Sequence, residues 1–215
     1  MLPLAIAVAL TAQCQQPPLK FLRWEKEIAG IEKRLADKPP AKGGVVFAGS
    51  SSIRLWDLPK SFPDSPPVNV GFGGSTIPDC TVFVSRLVLP FEPKTVVFYA
   101  GENDIAGGRT PEQVADDFAA FAAAVHAKLP RCRILFLAVK PSPSRWGMYE
   151  KQQKANALVK GVCDGNAKLR YVDVVPAMLG PDGKPLPELF VKDGLHLSPA
   201  GYARWTAAVA AALER

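Results

Sequence analysis

Two histidines occur among the 215 residues, and only one of them stands near a carboxylate that could set its tautomer. The stretch Asp193-Gly194-Leu195-His196 puts an acid three residues ahead of an imidazole. Imidazole is the side chain best suited to take and return a proton near neutral pH, and it needs a partner to keep one ring nitrogen protonated. The other, His126, lies in an alanine-rich helical stretch and reads as a surface residue. A base of this kind calls for a nucleophile. Phe47-Ala48-Gly49-Ser50-Ser51-Ser52-Ile53 offers three consecutive hydroxyls where an apolar run gives way to a helical turn. A hydroxyl there meets the first backbone N–H groups of the helix, which favour a developing negative charge. Residue type alone does not choose among Ser50, Ser51 and Ser52, and serines in such places commonly cap helices.

Two further segments could supply hydrogen-bond donors to a transient anion. Asn69-Val70-Gly71-Phe72-Gly73-Gly74-Ser75-Thr76 is a glycine-rich loop whose backbone N–H groups can approach a ligand closely. It lacks the Lys-Ser/Thr that completes a phosphate loop and does not fit G-x-G-x-x-G, so nucleotide binding is a weak reading. Gly101-Glu102-Asn103-Asp104 offers a carboxamide, a neutral donor suited to charge that appears only during a reaction. Gly, Asn and Asp are equally at home in ordinary turns. Each segment alone is a modest signal, but all four follow a predicted strand.

The elements that must position them alternate. Apolar runs at 45–49, 68–71, 95–100, 134–139 and 169–174 are short, rich in β-branched and aromatic residues and mostly continuous, as strands covered on both faces should be. Helical patterns lie at 19–37, 78–89, 111–129, 148–164 and 199–214. Thr110-Pro111-Glu112-Gln113 predicts a capping box, and Ser198-Pro199 predicts an N-cap followed by proline in the first turn. This order implies right-handed crossovers and a three-layer α/β/α sandwich on a five-stranded parallel sheet, with ligands bound past the carboxyl ends of the strands.

Composition narrows the partners. Nearly half of the chain is hydrophobic, enough to bury a sizeable core. The net charge is +6, but Lys20, Arg23, Lys26, Lys33, Arg34, Arg131, Arg133, Lys151 and Lys154 are scattered, and acidic residues interrupt several groups of them. No basic stripe interleaves with aromatics, so nucleic acid is not expected as a partner. Cys14, Cys80, Cys132 and Cys163 have no metal-ligand spacing, and no metal or other cofactor is expected. Cys132 and Cys163 each shortly precede a strand and are either buried thiols or, in an exported protein, a disulfide. Residues 1–16 are apolar then small and polar, too short to span a bilayer, and they fit an export segment leading to a periplasm or the exterior. Without such a signal the protein would be cytoplasmic. Residues 17–42 form a helical extension, and 43–215 form the domain that carries the four segments.

In their order and content these segments resemble the sequence blocks of the SGNH hydrolases, a GDSL-like family named for Ser, Gly, Asn and His. The resemblance runs from the first strand to the last helix. Its first block, usually Gly-Asp-Ser, selects Ser51 by its position two after Gly49, with Ser50 standing where Asp is usual. The second places its glycine at Gly74, with Gly73 a near rival. The third maps onto Gly101, Asn103 and Asp104, and the last onto Asp193 and His196. The resemblance implies a flavodoxin-like sandwich with sheet order 2-1-3-4-5 and cofactor-free hydrolysis of carboxylic esters. It implies a catalytic triad of Ser51, Asp193 and His196, with an oxyanion hole from Ser51, Gly74 and Asn103. The expected substrate is a small-molecule or carbohydrate ester with a short acyl group. A carbohydrate acetylesterase, a lysophospholipase-like enzyme and a non-catalytic glycan- or lipid-binding module are the alternatives. Trp56, Trp146 and Tyr149 either line the rim of the site or pack. Arg145, on the stretch after the fourth strand, either meets an anionic substrate group or forms a surface ion pair.

Overall fold

The computed structural model describes residues 18–214. The predicted export segment and Cys14 lie outside the described residues. Five parallel strands, β1 (Val45–Gly49), β2 (Val68–Asn69), β3 (Thr95–Tyr99), β4 (Arg133–Leu137) and β5 (Leu169–Val172), form one sheet in the order β2-β1-β3-β4-β5. β1, β3 and most of β4 are continuous apolar runs because both faces are covered there. Val46, Ala48, Val96, Phe98, Ile134 and Phe136 pack on one side. Their sequence neighbours Phe47, Val97, Tyr99, Leu135 and Leu137 pack on the other. This alternation is the two-residue period of a strand.

The first face meets α1 (Glu25–Asp37) through Ile28 and Ile31. It also meets α4 (Ile77–Val82), α5 (Val84–Leu87), α7 (Pro111–His126) and α8 (Tyr149–Asp164). The second face meets α9 (Pro199–Leu213) through Trp205 and Val209. There too lie Ile53, in α2 (Ser51–Arg54), and Leu58, in α3 (Leu58–Ser61). One more short helix, α6 (Glu102–Ala106), follows β3. Both predicted caps form. Thr110 Oγ1 accepts from the Gln113 N–H at 3.2 Å while Gln113 Oε1 accepts from the Thr110 N–H at 3.0 Å, and Ser198 Oγ accepts from the Gly201 N–H at 3.3 Å. No helix among the described residues is long and apolar enough to cross a membrane.

Several elements differ from the sequence-based expectation. The helix predicted at 78–89 is broken at Phe83, whose ψ of 9° leaves the helical range, and it ends in a 3-10 turn at Leu89–Phe91. Thr81, Val82 and Val84 are β-branched and hold a helix poorly, whereas Phe83 gains an edge-to-face contact with Phe72 at 6.0 Å. The start of that helix is set by Thr76 and Asp79, which cap each other reciprocally. β2 is paired as a strand only over Val68–Asn69, although Val70 and Phe72 still donate to the carbonyls of Phe47 and Gly49. The Gly-Glu-Asn-Asp segment opens α6 rather than forming a plain turn, and the 19–37 helix begins as a 3-10 segment at Leu19–Trp24. Of the two states left open for Cys132 and Cys163, the structure has free buried thiols. His126 is half-buried rather than a surface residue, with Nε2 2.9 Å from the Cys132 carbonyl.

Two residues tie these elements at the carboxyl edge of the sheet. Gly49, at φ 137°, lies so close to β3 that a Cβ would stand 1.9 Å from the Tyr99 carbonyl oxygen. Asp104 is buried and accepts from the Gly101 N–H at 3.0 Å and the Ile77 N–H at 2.9 Å, joining the starts of α6 and α4. Burial pushes its carboxyl up to about 6, against the backbone hydrogen bonds that favour the charged form.

Two outcomes follow. Gly49→Ala should lower the unfolding free energy by about 3 kcal/mol or more, because backbone strain and a backbone clash add; urea titration reads this directly. Asp104→Asn should cost about 1–3 kcal/mol at pH 7, since an amide can accept from only one of the two N–H groups with its single oxygen. As pH falls from 7 toward 4, native Asp104 takes up its proton before the unfolded chain does, so wild type should gain stability relative to Asp104→Asn over that range. A stability difference that shrinks on acidification would contradict this.

Candidate active site

Ser51 is the first residue of α2, directly past the end of β1. Its N–H therefore has no intrahelical acceptor. Of the three serines, Ser50 and Ser52 are 3% and 2% exposed, while Ser51 is partly open. Ser51 Oγ lies 2.9 Å from His196 Nε2, and His196 Nδ1 lies 2.6 Å from Asp193 Oδ2. A carboxylate can only accept, so Nδ1 carries the proton and Nε2 is left to accept from Ser51.

The acid and the imidazole are held by a tight loop. An antiparallel bridge pairs Phe190 with Leu197. Within it the Val191 N–H donates to the His196 carbonyl and the Gly194 N–H to the Val191 carbonyl, both at 2.9 Å. Gly194 makes the turn with φ 64°. Asp193 Oδ1 accepts from the N–H groups of Leu195 and His196 at 2.8 and 2.9 Å, which leaves Oδ2 for the imidazole. Burial acts to raise the Asp193 carboxyl, but the bonds from His196 and Leu195 outweigh it and hold it down to about 2. Asp193 thus keeps its charge wherever His196 can act as a base.

The glycine loop and Asn103 meet beside them. Asn103, on α6, donates from Nδ2 to the Ser75 carbonyl at 3.1 Å. The Ser75 hydroxyl in turn donates to the carbonyls of Phe72 and Gly49, at 3.0 and 3.3 Å. The two candidate glycines differ: the Gly73 N–H is taken by Glu27 Oε1 at 2.9 Å, while Gly74 is exposed with φ 73°.

Sequence reasoning missed a buried charge cluster behind Asn103. Glu102 Oε2 accepts from the Tyr99 hydroxyl at 2.8 Å and from Lys140 Nζ, and Oε1 accepts from the Ser142 hydroxyl at 2.9 Å. Burial pushes the Lys140 ammonium down, and burial together with the Glu102 charge pushes the Tyr99 phenol well up. Arg145 contacts Asn103 Oδ1 through both terminal nitrogens and stands 3.9 Å from the buried Glu102, so it is not a surface ion pair. The overlooked signal was a lysine ending one buried strand run and a glutamate just past the neighbouring one. Trp56 is a packing residue, 3% exposed among Phe47, Phe62, Tyr202 and Trp205. Trp146 and Tyr149 are half-buried and stacked on each other at 4.5 Å. A cleft of about 530 Å³ lined by Leu55, Trp56, Leu197 and Tyr202 begins one residue past His196, but Ser51, His196 and Asn103 do not line it. Among the described residues no group of three or more His, Cys, Asp or Glu side chains is placed to hold a metal ion.

Comparison with known proteins bears on what such an arrangement does. The model of the GDSL-like Lipase/Acylhydrolase family matches residues 50–204, a span that contains Ser50–Ile53 of the first segment and the other three segments whole. Platelet-activating factor acetylhydrolase IB subunit alpha1 of Pongo abelii is 30% identical over 179 residues, covering 79% of this chain and 74% of that protein. A GDSL-like lipase from Bacteroides thetaiotaomicron superposes with a TM-score of 0.71 at 24% identity, over 90% of this chain and 97% of that one. A carbohydrate esterase family 3 protein from Talaromyces cellulolyticus gives 0.61 at 17% identity, over 80% and 96%. Carboxylic ester hydrolysis is the activity typical of the matched family, and the sheet and its covering helices are those of its fold. This chain belongs to the GDSL-like lipase/acylhydrolase family of SGNH hydrolases.

Proposed function

We propose that the protein hydrolyses esters of short acyl groups through an acyl-enzyme on Ser51, with His196 as general base and Asp193 as its orienting acid. The observation that carries this is the continuous chain from Ser51 Oγ through His196 to Asp193, at 2.9 and 2.6 Å. His196 Nε2 takes the Ser51 proton as Oγ attacks the ester carbonyl. Asp193 stabilises the imidazolium that forms. The N–H groups of Ser51 and Gly74 and the free Nδ2–H of Asn103 receive the oxyanion. The engagement of Gly73 by Glu27 favours Gly74 as the glycine donor. His196 returns its proton to the leaving alkoxide. It then takes one from the water that attacks the acyl-enzyme, and Ser51 is regenerated.

The short acyl group rests on two supports. His196 and Asp193 are 26% and 47% exposed, an open setting. The 30% identical relative is named an acetylhydrolase. An alcohol component of carbohydrate type is a second reading, favoured by the shared fold with a carbohydrate esterase.

Hydrolysis of p-nitrophenyl acetate, butyrate and octanoate tests this. Turnover should be fastest on acetate or butyrate. Ser51→Ala should lose about four orders of magnitude or more in kcat. Folded Ser50→Ala and Ser52→Ala should stay within about tenfold of wild type, because neither hydroxyl touches the reacting atoms. Equal activity in all three variants would overturn the assignment, and a preference for octanoate would overturn the short-acyl reading.

A further inference from the structure

Residues 140–148, which follow β4, border the site but supply no group to the mechanism above. Within them the Arg145 side chain is only 20% exposed, and its Nη1 and Nη2 both lie 3.1 Å from Asn103 Oδ1. A guanidinium has donors and no acceptor, so the face of the carboxamide turned toward it must be the oxygen. Nδ2 is thereby turned the other way, where one N–H meets the Ser75 carbonyl and the second remains for a ligand. Arg145 and the Ser75 carbonyl therefore fix the same orientation from the two ends of the amide, and without Arg145 only the Ser75 bond would hold it.

The arginine is itself held in place. The Ser144 N–H donates to the Gly194 carbonyl at 3.0 Å, fastening this segment to the loop of Asp193 and His196. The Arg145 N–H donates to the Ser142 carbonyl at 3.2 Å, and Ser142 is bound to Glu102. Arg145 Nη1 stands 3.9 Å from Glu102 Oε1, but that carboxylate is already engaged by Lys140, Tyr99 and Ser142. The guanidinium thus faces both the Glu102 carboxylate and the Asn103 carboxamide, and its two hydrogen bonds go to the Asn103 oxygen.

We propose that Arg145 is a positioning residue for ester hydrolysis, fixing the Asn103 carboxamide with its N–H toward the oxyanion and polarising it into a stronger donor. This rests on the reading of Asn103 as an oxyanion donor, and the test separates the two. Steady-state kinetics on p-nitrophenyl acetate would be measured for wild type, Asn103→Ala, Arg145→Gln, Arg145→Lys and the double variant Asn103→Ala/Arg145→Gln, each with its thermal unfolding curve. Asn103→Ala should lower kcat about a hundredfold. Arg145→Gln should lower kcat about tenfold, with KM within about twofold of wild type, as for a group acting only in the transition state. Arg145→Lys, which restores a cation without the two-pronged grip, should recover part of the loss and carries the test if the glutamine variant fails to fold. In the double variant the losses should not multiply: kcat should fall within about twofold of Asn103→Ala alone, because the arginine has nothing left to position. Multiplying losses, or an unchanged kcat in Arg145→Gln, would overturn the proposal while leaving Asn103 in its role. A raised KM with unchanged kcat would instead make Arg145 a substrate contact. An unchanged kcat in Asn103→Ala would overturn the oxyanion reading, and the role of Arg145 with it.

Discussion

The close passage of Gly49 against Tyr99 is the constraint on which the site depends. β1 and β3 are parallel neighbours in register, with Gly49 opposite Tyr99. No side chain fits between them, so the two strands end together and turn away at the same height. The residue two past Gly49 is Ser51, and those three and four past Tyr99 are Glu102 and Asn103. A hydroxyl at a helix start and a carboxamide at another thus leave the sheet side by side. The glycine loop from β2 is tied to the same point, since the Gly49 carbonyl accepts from both the Phe72 N–H and the Ser75 hydroxyl. A parallel sheet is suited to this because every strand delivers its carboxyl end to one edge.

A second layer of structure lies under that edge, and its currency is charge. Burying Glu102 and Lys140 is costly for each alone and tolerable as a pair with the Tyr99 and Ser142 hydroxyls completing their hydrogen bonds. The pair joins β3 to β4 at their carboxyl ends, and residues 140–148 extend from it to reach both Asn103 and Gly194. The Asn103 side and the histidine side of the site are therefore braced by one segment. The histidine half needs such a brace: the loop of Asp193 and His196 is not a strand end but a short turn closed by the bridge between Phe190 and Leu197, about twenty residues past β5.

Much of this was legible in the residues. The five strands announced themselves because both their faces are buried, and the caps at Thr110 and Ser198 because side-chain oxygens satisfy backbone donors at fixed offsets. The pairing of His196 with Asp193 was legible because it is local. The choice of Ser51 over its neighbours was not a matter of residue type. The resemblance singled it out by its position two after Gly49, and burial sets it apart in the structure, where Ser50 and Ser52 are hidden. The parts that escaped were of two kinds. Short helices such as α4 and α5 are divided where tertiary packing of Phe83 outweighs a weak local preference. Arg145 and Lys140 acquire their partners some forty residues away, so neither spacing nor composition marks them.

Ser51 is the proposed nucleophile, and His196 the base proposed to activate it. The most direct measurement is labelling with a fluorophosphonate, a reagent that phosphonylates an activated serine, followed by peptide mapping by mass spectrometry. One adduct per chain is expected, on Ser51, formed by wild type and reduced to background by His196→Ala. An adduct on Ser50, Ser52 or another residue, or labelling of Ser51 that proceeds equally well without His196, would contradict it.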